Sequence, residues 1–205
     1  MRLADPPLWQ YLLFEQPWPL VIALGAMAVV LTVVAQRRDS RAIRMVAWSL
    51  AIGAGVVYAL AWQVTTDRQR LLHATEALVL STESPMDVEH LAGTWLSDQT
   101  TLIGPGGEPW LDREAIERQL RTADQRHAIE QQSIRRLGAE VTQPGYGRSI
   151  VEVSTQAGGG TRGFGPLRTE WDLYWQADEH GQWRVQEIHW VSFRNQPPER
   201  RLLGR

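Results

Sequence analysis

Two neighbouring stretches in the C-terminal third carry the residues best suited to acid–base chemistry: Asp172, Glu187 and His189, with Tyr174 close by. A carboxylate and an imidazole that meet in a cleft can pass a proton to and from a reacting molecule. Both stretches have a period of two, the mark of a strand. In the first, Trp171, Leu173 and Trp175 alternate with Glu170, Asp172 and Tyr174. In the second, Trp183, Val185, Glu187, His189 and Val191 alternate with Arg184, Gln186, Ile188 and Trp190. The link DEHG (178–181) is of hairpin length, so residues near 172 and 174 should lie opposite 187 to 189, in the mouth of whatever cleft the sheet encloses. A competing reading makes Asp172, Tyr174, Glu187 and His189 side chains of a solvated sheet face. Trp171, Trp175 and Trp190 then divide in the same way, into pocket walls on the first reading and core on the second.

Several other chemistries are excluded. The chain has no Cys, which removes disulfides, thiolate nucleophiles and Cys-ligated metal. Every basic residue is Arg, which removes Schiff-base lysines and the lysine of a phosphate-binding loop. His73 with Glu76 and His90 with Glu89 form no convergent triad, and no H-E-x-x-H spacing occurs, so neither metal nor cofactor is expected. His127 and His180 read as exposed. The glycine-rich GGGTRGFG (158–165) runs from strand to strand, so no helix N-terminus is there to hold phosphate. Residues 63–205 hold 16 Arg against 20 acidic residues, a balance that argues against nucleic acid as a partner.

The elements that must position these residues fall into two parts. Pro19–Ala35 and Met45–Trp62 are free of charge; at about 1.5 Å per residue, an 18-residue helix spans roughly 27 Å, close to a hydrocarbon core. They read as a transmembrane hairpin (19–62), preceded by an N-terminal tail (1–18) and joined by an Arg-rich loop (36–44). The loop's Arg37, Arg38, Arg41 and Arg44 favour the cytoplasmic side, which puts both termini outside. The expected location is therefore the bacterial inner membrane, multi-pass, with the C-terminal domain outside the cytoplasm. Ala47, Ala51, Gly55 and Ala59 recur every four residues and suggest a stripe for close helix approach, to the hairpin partner or to a second copy. Nothing ionisable lies within either helix, which argues against a pore or transporter.

Beyond the hairpin, residues 63–196 read as one soluble domain and 197–205 as a flexible tail. The second membrane helix either runs on to Pro85 as one rod or breaks at Thr66, where Thr66 and Gln69 can form a capping box. Further helices are expected from Met86 or Asp87 to Leu96, and after Asp112. GPGGEP (104–109) reads as a loop, and strands at 127–142, 148–156, 167–177 and 182–194 follow. Helices followed by hairpin-linked strands give an α+β domain, with three helices packed on a curved four-stranded antiparallel sheet.

Three segments, LAGTWLSDQTTLIGPGG (91–107), LDREAIERQL (111–120) and Thr169 to Trp190, which ends in WQADEHGQWRVQEIHW, carry a resemblance that covers about residues 67–195. With this arrangement of elements the chain resembles the nuclear transport factor two-like superfamily, the cystatin-like cone that includes SnoaL-like and ketosteroid-isomerase-like proteins, and the last segment looks like that family's final hairpin. The resemblance implies a sheet curled around a pocket and dimers formed through the sheet's outer face. The Tyr and acid pair of the isomerase-like enzymes has no matching positions in this chain. The expected function is thus a membrane-anchored, non-catalytic binding or assembly module at the outer face of the membrane. Its partners would be the bilayer and a second copy, another protein or a small hydrophobic ligand. The alternative is a SnoaL-like or ketosteroid-isomerase-like enzyme using Asp172, Glu187 or His189 on a small hydrophobic molecule.

Overall fold

The computed structural model of the chain describes residues 18–63, 66–126, 129–158 and 166–203. It divides into a helical unit ending at Gln69 and a larger unit beginning at Arg70.

The helical unit contains α1 (Trp18–Arg38) and α2 (Arg41–Gln63). Asp39, with φ of 42°, takes the left-handed turn between them. Both helices, spanning Trp18–Arg38 and Arg41–Ala59, are long and apolar enough to cross a membrane, with mean hydropathy of 2.4 and 1.6 over an 18-residue stretch of each. They pack on each other through small residues: Ala28 and Ala35 of α1 and Ala47 and Ala54 of α2 are buried. Each pair is seven residues apart, a spacing that drifts only about 20° around a helix and so keeps one seam facing its partner. The expected four-residue stripe is not this seam. Each step of four overshoots a full turn by about 40°, so Ala47 is buried while Ala51, Gly55 and Ala59 are exposed. Large apolar side chains point outward, with Ile22, Val29, Met45, Trp48 and Ile52 all more than half exposed. Such a surface suits hydrocarbon better than water.

Of the two readings of the next segment, a continuous rod or a break, the structure has the break. Helix α3 (Asp67–Leu80) opens with a reciprocal capping box, in which the Thr66 amide donates to Gln69 Oε1 at 3.0 Å and the Gln69 amide to Thr66 Oγ1 at 3.2 Å. Two more helices are capped by Asp side chains that accept from the third amide on, a standard way to satisfy the free N–H groups of a first turn. Asp87 accepts from His90 at the start of α4 (Val88–Trp95), and Asp112 from Ala115 at the start of α5 (Arg113–Arg126).

The sheet has six strands rather than four: β1 (Leu96–Ile103), β2 (Pro109–Asp112), β3 (Ile129–Gln143), β4 (Tyr146–Ala157), β5 (Leu167–Ala177) and β6 (Trp183–Phe193). Their order is β2-β1-β6-β5-β4-β3, and it is not wholly antiparallel, because β1 runs parallel to β6. β1 escapes a hydropathy pattern because its middle, Asp98–Thr101, is polar; Thr100 is buried by bonding the Val185 carbonyl at 2.6 Å, not by being apolar. Of GPGGEP, Gly104 to Glu108 form the connection between β1 and β2, and Pro109 is the first residue of β2. The helix count also differs, since a 3-10 helix (Arg200–Leu203) stands where a flexible tail was expected.

The core lies where α3, α4 and α5 cover one face of this sheet, and Leu71, Leu91, Leu96, Val151, Trp175 and Val185 are almost wholly buried in it. Two buried hydroxyls tie helix to sheet. Thr75 Oγ1 lies 2.8 Å from the Leu71 carbonyl and 2.9 Å from Ser149 Oγ, and Ser149 Oγ also accepts from the Trp175 indole at 2.8 Å. Removing a shared partner strands buried donors, so Ser149→Ala should destabilise the unit by about 1–3 kcal/mol in chemical unfolding monitored by tryptophan fluorescence.

Candidate functional site

The helices do not fill the curve of the sheet. Between them lies a cavity of about 400 Å³, within the size range of small-molecule sites. Leu78 and Val79 of α3, Leu91 of α4, Ile116, Leu120 and Ala123 of α5, and Val151, Val153, Trp171, Leu173 and Ile188 of the sheet form its apolar walls. Leu202 and Leu203 of the 3-10 helix line it as well. Its polar lining consists of Thr82, Gln119, Gln132, Thr155 and Thr169. Among the described residues, the lining contains no Asp, Glu, His, Arg or Tyr.

The titratable groups gather on the other face of the same sheet. Asp172 pairs in register with His189, and Tyr174 with Glu187. Successive side chains of a strand point to opposite faces, so Trp171 and Leu173 face the cavity while Asp172 and Tyr174 turn away from it. The ladder thus brings the four residues together, but outside the cone and not in its mouth.

There Asp172 is already engaged. Arg148, opposite Tyr174 on β4, grips it with two parallel bonds, Nε to Oδ1 at 2.8 Å and Nη2 to Oδ2 at 2.5 Å. Both residues are about nine-tenths buried. Arg148 Nη1 lies 3.8 Å from a Glu140 oxygen, and the guanidinium stands over the Tyr174 ring at 5.4 Å. The Tyr174 ring in turn contacts the His189 ring at 4.9 Å, and His189 Nε2 pairs with Glu187 Oε2 at 2.8 Å. The bonds it donates to Asp172 hold the Arg148 guanidinium charged to still higher pH than usual, against the opposing effect of burial. Burial, followed by the Asp172 charge, raises the Tyr174 phenol above its ordinary range, and the nearby Arg148 opposes the rise. A carboxylate in a two-point grip with a guanidinium is poorly placed to accept a proton from a reacting molecule.

The tryptophans divide. Trp171 lines the cavity, stacked on Trp190 with ring centroids 5.1 Å apart, and Trp190 and Trp175 belong to the buried core. Sequence reasoning missed Arg148 and Glu140. Their strands are visible as patterns, but pairing Arg148 with Asp172 depends on the register across the glycine-rich link 158–165. His127 lies outside the described residues.

No family model matches the chain, and no curated protein matches it. Solved structures do. A protein proposed to be a dehydratase of the NTF2-like family, from Streptomyces avermitilis, superposes with a TM-score of 0.50 at 17% identity, over 60% of this chain and 93% of that one. An NTF2-like protein from Cytophaga hutchinsonii gives 0.49 at 15% identity, over 61% and 97% of the two chains. A ketosteroid isomerase-like protein from Erwinia carotovora atroseptica gives 0.47 at 14% identity, over 63% and 99% of the two chains. The C-terminal unit has the nuclear transport factor two-like cone fold.

Two outcomes test the outer cluster. Asp172→Ala leaves a buried guanidinium short of its main partner and should destabilise the unit by about 3–5 kcal/mol in urea unfolding, whereas Asp172→Leu combined with Arg148→Met should recover most of that loss. A phenol whose folded pKa is raised contributes stability that is complete below its unfolded value, about 10, and is lost as pH rises through the folded value. Melting temperature should therefore fall above about pH 10, and Tyr174→Phe should flatten that fall.

Proposed function

We propose that the chain is a membrane-anchored binding protein whose cone holds a small apolar molecule without transforming it. The observation that carries this reading is the segregation of the two faces: the hollow is lined by apolar, hydroxyl and amide groups, while Asp172, Glu187 and His189 stand behind the wall. Acid–base catalysis needs a titratable group within hydrogen-bond reach of the reacting atom, and the described lining offers none. The outward apolar surfaces of α1 and α2 support anchoring in a bilayer. The Arg-rich turn between them supports a cytoplasmic turn and a cone on the opposite side.

The test uses the full chain in detergent, photolysed with an aliphatic diazirine and mapped by peptide mass spectrometry. Labels are expected on the peptides holding Trp171, Leu173 and Leu120. Ala123→Phe, which fills the hollow, should reduce that labelling at least tenfold, while Glu187→Gln and His189→Ala leave it unchanged. Labelling confined to α1 and α2 would sink the proposal.

A further inference from the structure

Resting on that binding reading, we infer that the cavity selects uncharged amphiphiles, molecules with an apolar body and one neutral oxygen head group, and that Gln119 and Gln132 are the residues that read the head. The polar part of the lining is built, not incidental. Gln132 donates one amide hydrogen to Thr82 Oγ1 and accepts from Thr155 Oγ1 at 3.3 Å, while Thr82 in turn donates to the Val79 carbonyl at 2.6 Å. These bonds fix the Gln132 side chain and leave its second amide hydrogen for a guest. Among the described bonds Gln119 makes none through its side chain, although it lines the same cavity from α5. Two amides and the Thr169 hydroxyl, which already accepts from the Trp171 indole at 3.0 Å, offer hydrogen bonds without charge.

The charge environment argues in the same direction. Two carboxylates are bonded in beside Gln132 and Ile129: Glu83 accepts from the main-chain N–H of Gln132 at 2.7 Å, and Asp124 accepts from Ser84 Oγ at 2.6 Å, which itself accepts from the main-chain N–H of Ile129 at 2.9 Å. An anionic head would enter an apolar hollow beside these carboxylates and would meet no guanidinium among the described lining residues. An ammonium head would lose its water with no carboxylate in the lining to replace it. Both carry a desolvation cost that a neutral hydroxyl or carbonyl avoids. Conversely, a plain hydrocarbon would cover the Gln119 amide and the second Gln132 amide hydrogen without offering either a hydrogen-bond partner.

Competition against the diazirine label at pH 8 separates these cases. Dodecan-1-ol, dodecane and dodecanoate serve as competitors, and peptides carrying Trp171, Leu173 and Leu120 report occupancy. Dodecan-1-ol is expected to compete about tenfold more effectively than dodecane, and dodecanoate not to compete. Because partition into detergent is the same for every variant, the alcohol-to-alkane ratio in Gln132→Leu and Gln119→Leu gives the amides' part. Each should shrink that ratio several-fold, and Gln119, having no described bond to lose, keeps the test open if Gln132→Leu folds poorly. Equal competition by dodecanoate, or an unchanged ratio in both variants, would overturn this selectivity while leaving the binding reading intact. Absence of any cavity labelling in the unaltered chain would instead remove the binding reading and the selectivity together.

Discussion

Side chains along a strand point alternately to opposite faces, and in β5 this alternation governs most of what the C-terminal unit is. Trp171, Leu173 and Trp175 go inward, where they build wall and core; Asp172 and Tyr174 go outward, where Arg148 and His189 meet them. A one-residue shift of register would exchange the two sets, burying a carboxylate in the hollow and exposing three large apolar residues. The buried pairing of Arg148 with Asp172 opposes such a shift, since a carboxylate taken from that grip would leave a nearly buried guanidinium without its two-point partner.

The same separation divides labour between the faces. The inner face, with the helices laid over it, supplies a hollow without titratable groups among its described residues. The outer face supplies a chain of contacts running from Glu140 through Arg148, Tyr174 and His189 to Glu187. Each face is internally consistent, apolar and amide on one side, paired charge on the other.

Much of this was legible in the sequence, and the omissions have physical causes. Strands β5 and β6 show a clear period of two, and the short DEHG link fixes their pairing, so the meeting of residues 172 and 174 with 189 and 187 could be read in advance. Which face they would share could not, because both faces carry large residues: Trp171 and Trp175 on one, Tyr174 and His189 on the other. β1 was hidden by its polar centre, where Thr100 is buried through a hydrogen bond to a neighbouring strand. β2 has four residues and begins at a proline. Leu202 and Leu203, two apolar residues among arginines near the C-terminus, were the only signal of a segment that closes on the cavity. In the helical unit the small-residue repeat was visible, but the seam follows the interval of seven, which keeps better phase with its partner than an interval of four.

The hollow also bears on hydration. It opens to solvent, and Leu120, Trp171, Ile188 and Leu202, which line it, keep part of their surface accessible. Apolar surface left in reach of water is hydrophobic stabilisation that folding has not realised. A guest of matching shape would realise it, and its binding would carry the negative heat-capacity change of apolar burial.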